Sequence, residues 1–443
     1  MESFIILVFF LGYIAIAMER VTKLDKLIPA LLMMSICWAT IALGLDSFSN
    51  WFDPQSGTLS DISNFTLEAK RNLLEVTLLH HFGKTAEILI FLIGAMAIVE
   101  MIDHFDGFGA IKKMIKTKKK RSLLWIICAF AFALSAIIDN LTATIVLISI
   151  LRKVIPDKND RMWFAGLVII AANAGGAWTP IGDVTTTMLW MAGKVTSGKL
   201  MTLLFLPSLV SVLVPVIIAS NFKVFDGTIE KIESDEKQNK YSGLMLILGL
   251  FLIVFVPIFK TITHLPPYIG MLLSLAIFAV IAEIITNRHF TLTQLEGENQ
   301  QHGPTMKALT KIEMPSILFF LGILMTVAAM ESLGIIFSFG GQVSAAIPEY
   351  VFVTLLGISS SIIDNVPLVA ASIGMFRDAT DATVWHFIAY AAGTGGSILI
   401  IGSAAGVVAM GMEKISFFWY FKKISLLALI GYLAGVGVFM ALS

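Results

Sequence analysis

Long apolar runs alternate with short polar connections along the whole chain. A helix that crosses a hydrocarbon core of ~30 Å needs about 20 mainly apolar residues. Runs that reach or approach this length predict helices at 3–18, 27–45, 86–102, 122–138, 141–151, 162–193, 200–222, 241–259, 265–286, 314–334, 350–376, 384–412 and 424–443. No connection between these runs is long enough for a soluble domain. The pattern therefore predicts an all-α polytopic membrane protein.

Composition agrees with the hydrophobic pattern. Of 443 residues, 57% are hydrophobic and only 14% are charged, whereas soluble proteins carry roughly 25% charged residues. Lys plus Arg equals Asp plus Glu, so the chain lacks the basic excess of a nucleic-acid binder. The two cysteines, Cys37 and Cys128, lie inside apolar runs, which argues against a disulfide framework. These numbers exclude a disordered chain and an ordinary soluble enzyme.

Two segments, 122–155 and 350–376, are too long for one crossing and barely long enough for two. Each is interrupted at its middle by Asp-Asn, and a re-entrant hairpin would place this pair at its tip. Cytoplasmic loops carry an excess of Lys and Arg, which separates the alternatives. With two hairpins, 24 of the 31 basic residues fall on one side; with two single crossings the division is 16 to 15. We therefore predict about ten full crossings, two re-entrant hairpins and a periplasmic N-terminus.

Three sequence blocks occur twice in the same order. They pair 88–102 with 317–331, 135–143 with 360–368, and 173–184 with 393–404, at offsets of 229, 225 and 220 residues. Five predicted crossings separate the two hairpins, and an odd number makes the halves inverted across the membrane. In the third block, glycines and Pro180 interrupt the runs 162–193 and 384–412, which predicts two broken helices. Inverted repeats whose broken helices meet at the midplane are typical of secondary transporters.

This pattern divides the chain into five parts. They are N-terminal spans and an external loop (1–84), the first repeat (85–222) with hairpin 122–155 and broken helix 162–193, a charged cytoplasmic linker (223–240), further spans (241–312), and the second repeat (313–443) with hairpin 350–376 and broken helix 384–412.

Polar residues collect at the four interruptions, and none of them is Lys or Arg. The candidate cation and proton site comprises Asp139, Asn140, Thr142, Asn173, Thr179, Asp183, Thr185, Ser360, Asp364, Asn365, Thr394 and Ser397, with Na⁺ on Asp139, Asn140, Asp364 and Asn365. Intramembrane carboxylates are costly and mark functional sites by default. Carboxylates, amides and hydroxyls without a basic group suit a small hard cation or protons rather than a dicarboxylate. No Cys or His pair accompanies them, which argues against zinc or copper.

A structural role for the same residues remains open. Asp and Asn are good N-caps, and both Asp-Asn pairs precede a helical run. Asp183 follows Gly182 and has no acidic counterpart in the second half, where Ser403 stands at the equivalent place. The hydroxyls are individually weak indications, because many of them would only satisfy nearby backbone groups.

Four sequence stretches resemble the NhaD-type sodium/proton antiporters of the ion transporter superfamily. They are SAIIDNLTATIVL, SSIIDNVPLVAA, NAGGAWTPIGDVTT and GTGGSILIIGSAAG, and the likeness extends from about residue 85 to the end. Dicarboxylate carriers of the superfamily have Ser-Asn-Thr at the hairpin tips, whereas Asp139 and Asp364 precede the Asn here. The resemblance implies a homodimer with a scaffold and an elevator-like transport part. It also implies a role for Asp139, Asn140, Asn173, Asp183, Thr185, Ser360 and Asn365.

These expectations combine into one hypothesis, which is exchange of Na⁺ or Li⁺ for H⁺ by competition for the buried carboxylates. The chain would need no cofactor, would reside in the cell inner membrane among lipids, and would bind no nucleic acid. A carrier for arsenite or an organic anion is the closest rival. An intramembrane aspartyl protease would need Tyr-Asp and Gly-x-Gly-Asp, which the sequence lacks. A passive channel would conduct far faster than a carrier turns over.

Overall fold

The computed structural model of the chain describes residues 1–53, 58–109, 111, 115, 117–229, 240–287, 303–362 and 365–443. Helices make up most of it. They span Glu2–Ala17, Glu19–Thr22, Leu27–Leu43, Leu67–His104, Lys120–Ile138, Asn140–Val154, Lys158–Gly176, Val184–Met191, Ser197–Ser220, Ser242–Thr263, Pro267–Asn287, Pro304–Lys311, Met314–Ser332, Ile335–Ala346, Glu349–Ser359, Asn365–Met375, Thr383–Gly395, Ala404–Glu413, Phe417–Lys423 and Ser425–Leu442, with short 3-10 turns at Leu45–Ser47 and Lys223–Phe225.

Within this described part, seven helices are long and apolar enough to cross a membrane, judged by length and composition. One of them, Lys120–Ile138, is an arm of a hairpin. The remaining six, the slightly shorter helices Glu2–Ala17 and Leu27–Leu43, and two broken helices together give ten crossings. This confirms the predicted helical membrane architecture.

Four elements build the functional centre, and we name them here. The first hairpin comprises Lys120–Ile138 and Asn140–Val154, the first broken helix Lys158–Gly176 and Val184–Met191, the second hairpin Glu349–Ser359 and Asn365–Met375, and the second broken helix Thr383–Gly395 and Ala404–Glu413.

The first hairpin enters and leaves the helix bundle at the same end. Lys120, at its start, lies 2.6 Å from a carboxylate oxygen of Asp160. Arg152, near its end, binds the buried carboxylate of Glu413 at 2.7 Å, and Arg161 binds the same carboxylate at 3.0 Å. Both arms therefore end beside the start of the first broken helix, and the chain turns back at the tip. We call this end of the bundle, marked by these five residues, the basic face.

The second hairpin opens at the other end of the bundle. The rings of Phe352, near its start, and Phe376, just after its end, lie 5.9 Å apart between centroids. Beyond it, the Asp381 carboxylate accepts a 2.7 Å bond from the Thr196 backbone N–H, and the Asp381 N–H donates to the Lys194 carbonyl at 2.8 Å. Lys194 and Thr196 follow the first broken helix, which has crossed from the basic face. We call the end at Lys194, Thr196 and Asp381 the opposite face.

The two broken helices run in opposite directions. The first leads from Lys158 at the basic face towards Lys194, whereas the second starts at Thr383, beside Asp381, and ends at Glu413 on the basic face. The helical hydrogen bonding of each is interrupted, at 177–183 and at 396–403. The predicted inverted repeat with two re-entrant hairpins and two broken helices is confirmed.

Equivalent hydrogen bonds join hairpin and broken helix in each repeat. The Ser135 hydroxyl donates to the Ala172 carbonyl at 2.5 Å, and the Ser360 hydroxyl donates to the Ala392 carbonyl at 2.8 Å. The serines differ by 225 residues and the alanines by 220, which are the offsets of the sequence blocks. Each bond satisfies a carbonyl near a helix break, so each hairpin and broken helix pack as one unit.

The region before the first hairpin contains one long helix, Leu67–His104, which runs through residue 84. A two-stranded antiparallel sheet of Asn50–Asp53 and Thr58–Asp61 precedes this helix. The Trp51 indole N–H donates to the Thr77 hydroxyl at 3.1 Å, and the Lys70 ammonium donates to the Phe48 carbonyl at 3.0 Å. The sheet is thereby fixed to the start of the long helix.

Replacing Gly175 by Ala is expected to loosen the first repeat. A Cβ at this position would collide with the backbone carbonyl of Phe132 in the first hairpin, which cannot rotate away. Overpacking of this kind costs about 1–3 kcal/mol, so thermal unfolding in detergent should begin at a lower temperature. Gly411→Ala is the matched control, because a Cβ there meets open space in the helix Ala404–Glu413. Equal melting of the two variants would contradict this packing.

Candidate cation site

The carboxylate of Asp183 lies where all four interrupted elements meet. Asp183 follows the break of the first broken helix and caps the helix Val184–Met191, with its Oδ1 accepting the Thr185 N–H and hydroxyl, both at 2.8 Å. The Asn140 amide, at the tip of the first hairpin, donates to Oδ2 at 2.7 Å. The Asn365 amide, at the tip of the second hairpin, lies 3.4 Å from both oxygens. Both hairpin tips therefore converge on one buried carboxylate.

Two further side chains extend this arrangement to the second broken helix. The Asn140 amide N–H also donates to the side-chain oxygen Oδ1 of Asn173 at 2.9 Å. The Asn173 amide in turn donates to the Ser403 hydroxyl at 2.9 Å. Ser403 follows the second break and is the repeat counterpart of Asp183. A continuous polar chain thus links Ser403, Asn173, Asn140, Asp183 and Asn365, all of which are buried.

Asp139 forms the tip of the first hairpin in a backbone conformation that is rare for a residue with a side chain. Its φ is 85° and its ψ is 159°, a region occupied almost only by glycine and costing about 1–3 kcal/mol. Its carboxylate accepts the Thr142 N–H at 2.7 Å and the Thr142 hydroxyl at 2.9 Å. Asp139 is therefore the N-cap of the helix Asn140–Val154. A glycine would adopt this backbone conformation without strain, but it would provide no carboxylate.

The other predicted hydroxyl residues mainly satisfy backbone carbonyls. Thr179 donates to the Ala136 carbonyl at 2.6 Å, Thr394 to Tyr390 at 2.6 Å, and Ser397 to Thr394 at 2.7 Å. Ser360 belongs to the same class through its bond to Ala392. These side chains hold the breaks together, as expected for most of the hydroxyls. Asp364, the second predicted carboxylate ligand, lies outside the described residues.

A small cavity of about 70 Å³ opens beside this polar chain. Asp139, Asn140, Asp183 and Asn365 lie on one wall. Helices outside the hairpins and broken helices contribute Phe91, Leu92, Ala95, Met96, Ile253, Met271 and Phe320, together with the polar Ser316. One water molecule needs about 10–15 Å³ of such space, so the cavity accommodates an ion with a few waters. Carboxylate and amide oxygens are the ligands that hard cations take.

One basic side chain, that of Lys26, also lines the cavity. Lys26 directly precedes the helix Leu27–Leu43, and its ammonium lies 4.4 Å from the centroid of the Phe319 ring. The sequence places no Lys or Arg at the helix breaks. The fold adds a basic residue from the N-terminal region, which contacts Phe319 of the second repeat.

Two larger vestibules lie towards the two faces. The first has a volume of about 440 Å³ and includes Ala404 and Val407 of the helix that ends at Glu413, so we call it the basic-face vestibule. It is also lined by Glu19, Lys23 and Asp25, and it shares Lys26 and Ala404 with the ion cavity. The second, about 370 Å³, lies at the opposite face and includes His80, His81, Lys84, Glu331, Lys194 and Arg377. Among the described lining residues it shares none with the cavity. The ion cavity therefore adjoins the first vestibule.

Inverted repeats whose hairpins and broken helices meet at a buried polar centre define the class of secondary transporters. A solved structure agrees with this fold: the YdaH transporter of Alcanivorax borkumensis superposes with a TM-score of 0.57, covering 93% of this chain and 98% of that chain. At 11% sequence identity, the likeness concerns the fold alone.

Sequence relatives give the family. A family model described as CitMHS, citrate transporter, matches residues 13–387. The chain is 41% identical to sodium/proton antiporter 1 of Arabidopsis thaliana over 98% of its own length and 71% of that protein. It is 30% identical to the Na⁺/H⁺ antiporter NhaD of Vibrio cholerae, over 99% and 91% of the two chains. The chain belongs to the NhaD-type sodium/proton antiporter family, whose members are multi-pass membrane proteins.

Proposed function

We propose that this chain exchanges Na⁺ or Li⁺ for H⁺ across the inner membrane. The observation that carries the proposal is the convergence of Asn140 and Asn365 on Asp183, beside a cavity that also contains the Asp139 carboxylate. The sodium/proton exchange named for the relatives supports it.

Competition for the carboxylates would couple the two ions. A cation binds oxygen ligands in their deprotonated form, so metal binding releases protons and rises with pH. Asp139 and Asp183 line one cavity together with Asn140 and Asn365. Na⁺ entering on one side would expel protons, and protons arriving on the other side would expel Na⁺. An inward proton gradient would then drive Na⁺ out without a second binding site.

Alternating access would follow from movement of the hairpins and broken helices as one unit. Within each repeat, hairpin and broken helix are joined by hydrogen bonds such as Ser135 to Ala172 and Ser360 to Ala392. The lining contributed from outside the hairpins and broken helices is mostly apolar, with Ser316 and Lys26 as its polar members among the described residues, so few polar contacts would be broken during sliding. These features support an elevator motion between the two vestibules. From the family resemblance we also propose a homodimer, which cross-linking in native membranes would test.

The apparent affinity for Na⁺ should rise with pH. If one proton competes with one Na⁺, the half-saturating Na⁺ concentration falls about tenfold per pH unit while the carboxyls are protonated, and levels off once they are ionised. The measurement is Na⁺-dependent dissipation of an imposed pH gradient in proteoliposomes, repeated with Na⁺ and Li⁺ at several pH values. A half-saturating concentration that stays constant between acid and alkaline pH would contradict competition.

Competition with anions separates the proposal from its closest rival, a carrier of organic anions or arsenite. The description of the family model names citrate, but two carboxylates in a cavity of about 70 Å³ repel such an anion and leave little room for it. Uptake of ²²Na⁺ driven by a pH gradient should be unaffected by excess citrate, succinate or arsenite. Uptake of labelled citrate or arsenite, with no transport of Na⁺, would favour the rival.

A further inference from the structure

Lys26 occupies the junction between the basic-face vestibule and the ion cavity. It lines both spaces, whereas Lys23, three residues earlier, lines the vestibule only. The Lys26 ammonium lies 4.4 Å from the centroid of the Phe319 ring, a cation–π contact that restrains the side chain. A cation that enters the site from this vestibule would therefore pass Lys26.

Lys26 shares the lining of the ion cavity with the carboxylates of the site. Among the described residues that line the ion cavity, Asp139 and Asp183 are acidic and Lys26 is basic. In a partly desolvated space, an ammonium and a metal cation compete for the same negative field, since each lowers the electrostatic energy of the carboxylates. An ammonium attached to the chain has a fixed effective concentration, so it raises the concentration of free cation needed for occupancy.

The position of Lys26 in the chain implies that its competition with Na⁺ differs between the two conformations of the transporter. Lys26 directly precedes the helix Leu27–Leu43, which is separate from both hairpins and both broken helices. Its helix packs on Met314–Ser332, where the Trp38 indole N–H donates to the Met325 carbonyl at 2.8 Å. When the hairpins and broken helices move towards the opposite face, Lys26 would stay behind with its helix.

We propose that Lys26 is a tethered cation that competes with Na⁺ for the site only while the site faces the basic-face vestibule. The idea rests on the proposed function and assigns a specificity-determining role to a residue outside the repeats. In this conformation Lys26 sets a threshold of Na⁺ concentration for loading, and it compensates the negative charge of the empty site. On the opposite face the site would leave Lys26 behind and would face the second vestibule, where Lys84, Lys194 and Arg377 lie with Glu331.

Binding without transport gives the test. The full-length protein in detergent is heated at increasing NaCl, with choline chloride keeping the ionic strength constant, and the Na⁺ concentration that produces half of the rise in melting temperature is measured. For Lys26→Gln this concentration should fall about tenfold relative to wild type. Lys26→Met, which keeps the length of the stem against Phe319, should give the same shift. Lys26→Arg, which keeps the charge, should stay at the wild-type value.

Lys23→Gln is the matched control, because Lys23 lines the vestibule without reaching the ion cavity. Its half-effect concentration should equal that of wild type. An unchanged value in Lys26→Gln and Lys26→Met, or an equal fall in Lys23→Gln, would overturn the role of Lys26. Absence of any Na⁺ effect in all proteins would instead contradict the proposed function, so the two failures are distinguishable.

Discussion

The variant Asp183→Asn is expected to lose Na⁺-driven proton exchange while it keeps its fold. Asparagine is as good an N-cap as aspartate and can still accept the Thr185 N–H bond, so the helix Val184–Met191 should begin as before. The negative charge is lost at the point where Asn140 and Asn365 converge. Two unit charges 4 Å apart interact by about 4 kcal/mol at an effective dielectric constant of 20, which corresponds to nearly a thousandfold in cation affinity.

Exchange is measured as Na⁺-dependent collapse of a pH gradient in proteoliposomes, with melting temperature as the check on folding. The matched control is Asp160→Asn, which removes a carboxylate from the partly exposed pair with Lys120 at the basic face. Such pairs contribute little, so this variant should exchange like wild type. An Asp183→Asn protein with a wild-type half-saturating Na⁺ concentration would exclude Asp183 from the ion site.

The second large effect is expected for Asp139→Asn. Asparagine tolerates a positive φ better than most residues and can still cap the Thr142 N–H, so the hairpin tip should form. The cavity keeps the Asp183 carboxylate but loses a second site for protons. We therefore expect exchange to fall by about a hundredfold or more, because the loss of a charge near the ion removes several kcal/mol.

The variant Thr142→Val tests whether the charge of the Asp139 carboxylate or its exact position is needed for exchange. This change removes the 2.9 Å bond from the Thr142 hydroxyl to the Asp139 carboxylate but keeps the carboxylate and the backbone N–H bond. A single hydrogen bond contributes about 1 kcal/mol, so a loss of only a few fold is expected in the same proteoliposome assay. If Thr142→Val is as inactive as Asp139→Asn, the geometry of the tip rather than its charge limits transport.

Most of the architecture could be predicted from the sequence because it depends on signals repeated along the chain. Apolar runs of membrane length mark the helices, and the Asp-Asn interruptions mark the hairpin tips. The asymmetry of basic residues selects re-entrant hairpins. The structure agrees, because Lys120 and Arg152 at the two ends of the first hairpin pair with Asp160 and Glu413 at the same face. The hydrogen bonds donated by Ser135 and Ser360 are equivalent in the two repeats, and their residues are separated by the same offsets as the sequence blocks.

The centre of the site was harder to predict, since it depends on contacts between distant segments. The sequence left a simple capping role open for Asp183, and only the fold brings both hairpin amides to its carboxylate. Ser403 could be recognised in the sequence as the repeat counterpart of Asp183. Its hydrogen bond from Asn173 could not be predicted, because it joins the two halves of the chain. Lys26 carried no such signal, because it belongs to an N-terminal loop without a repeat partner. Its place beside the cavity follows from tertiary packing alone.

The central claim is that Na⁺ and H⁺ compete for one carboxylate site. Proton release on Na⁺ binding tests it most directly, with purified protein in weakly buffered detergent solution and a pH-sensitive dye. Addition of NaCl, but not choline chloride, should release protons in wild type, with less release as the starting pH rises and none from Asp183→Asn. Saturable Na⁺ binding without proton release at any pH would contradict the account.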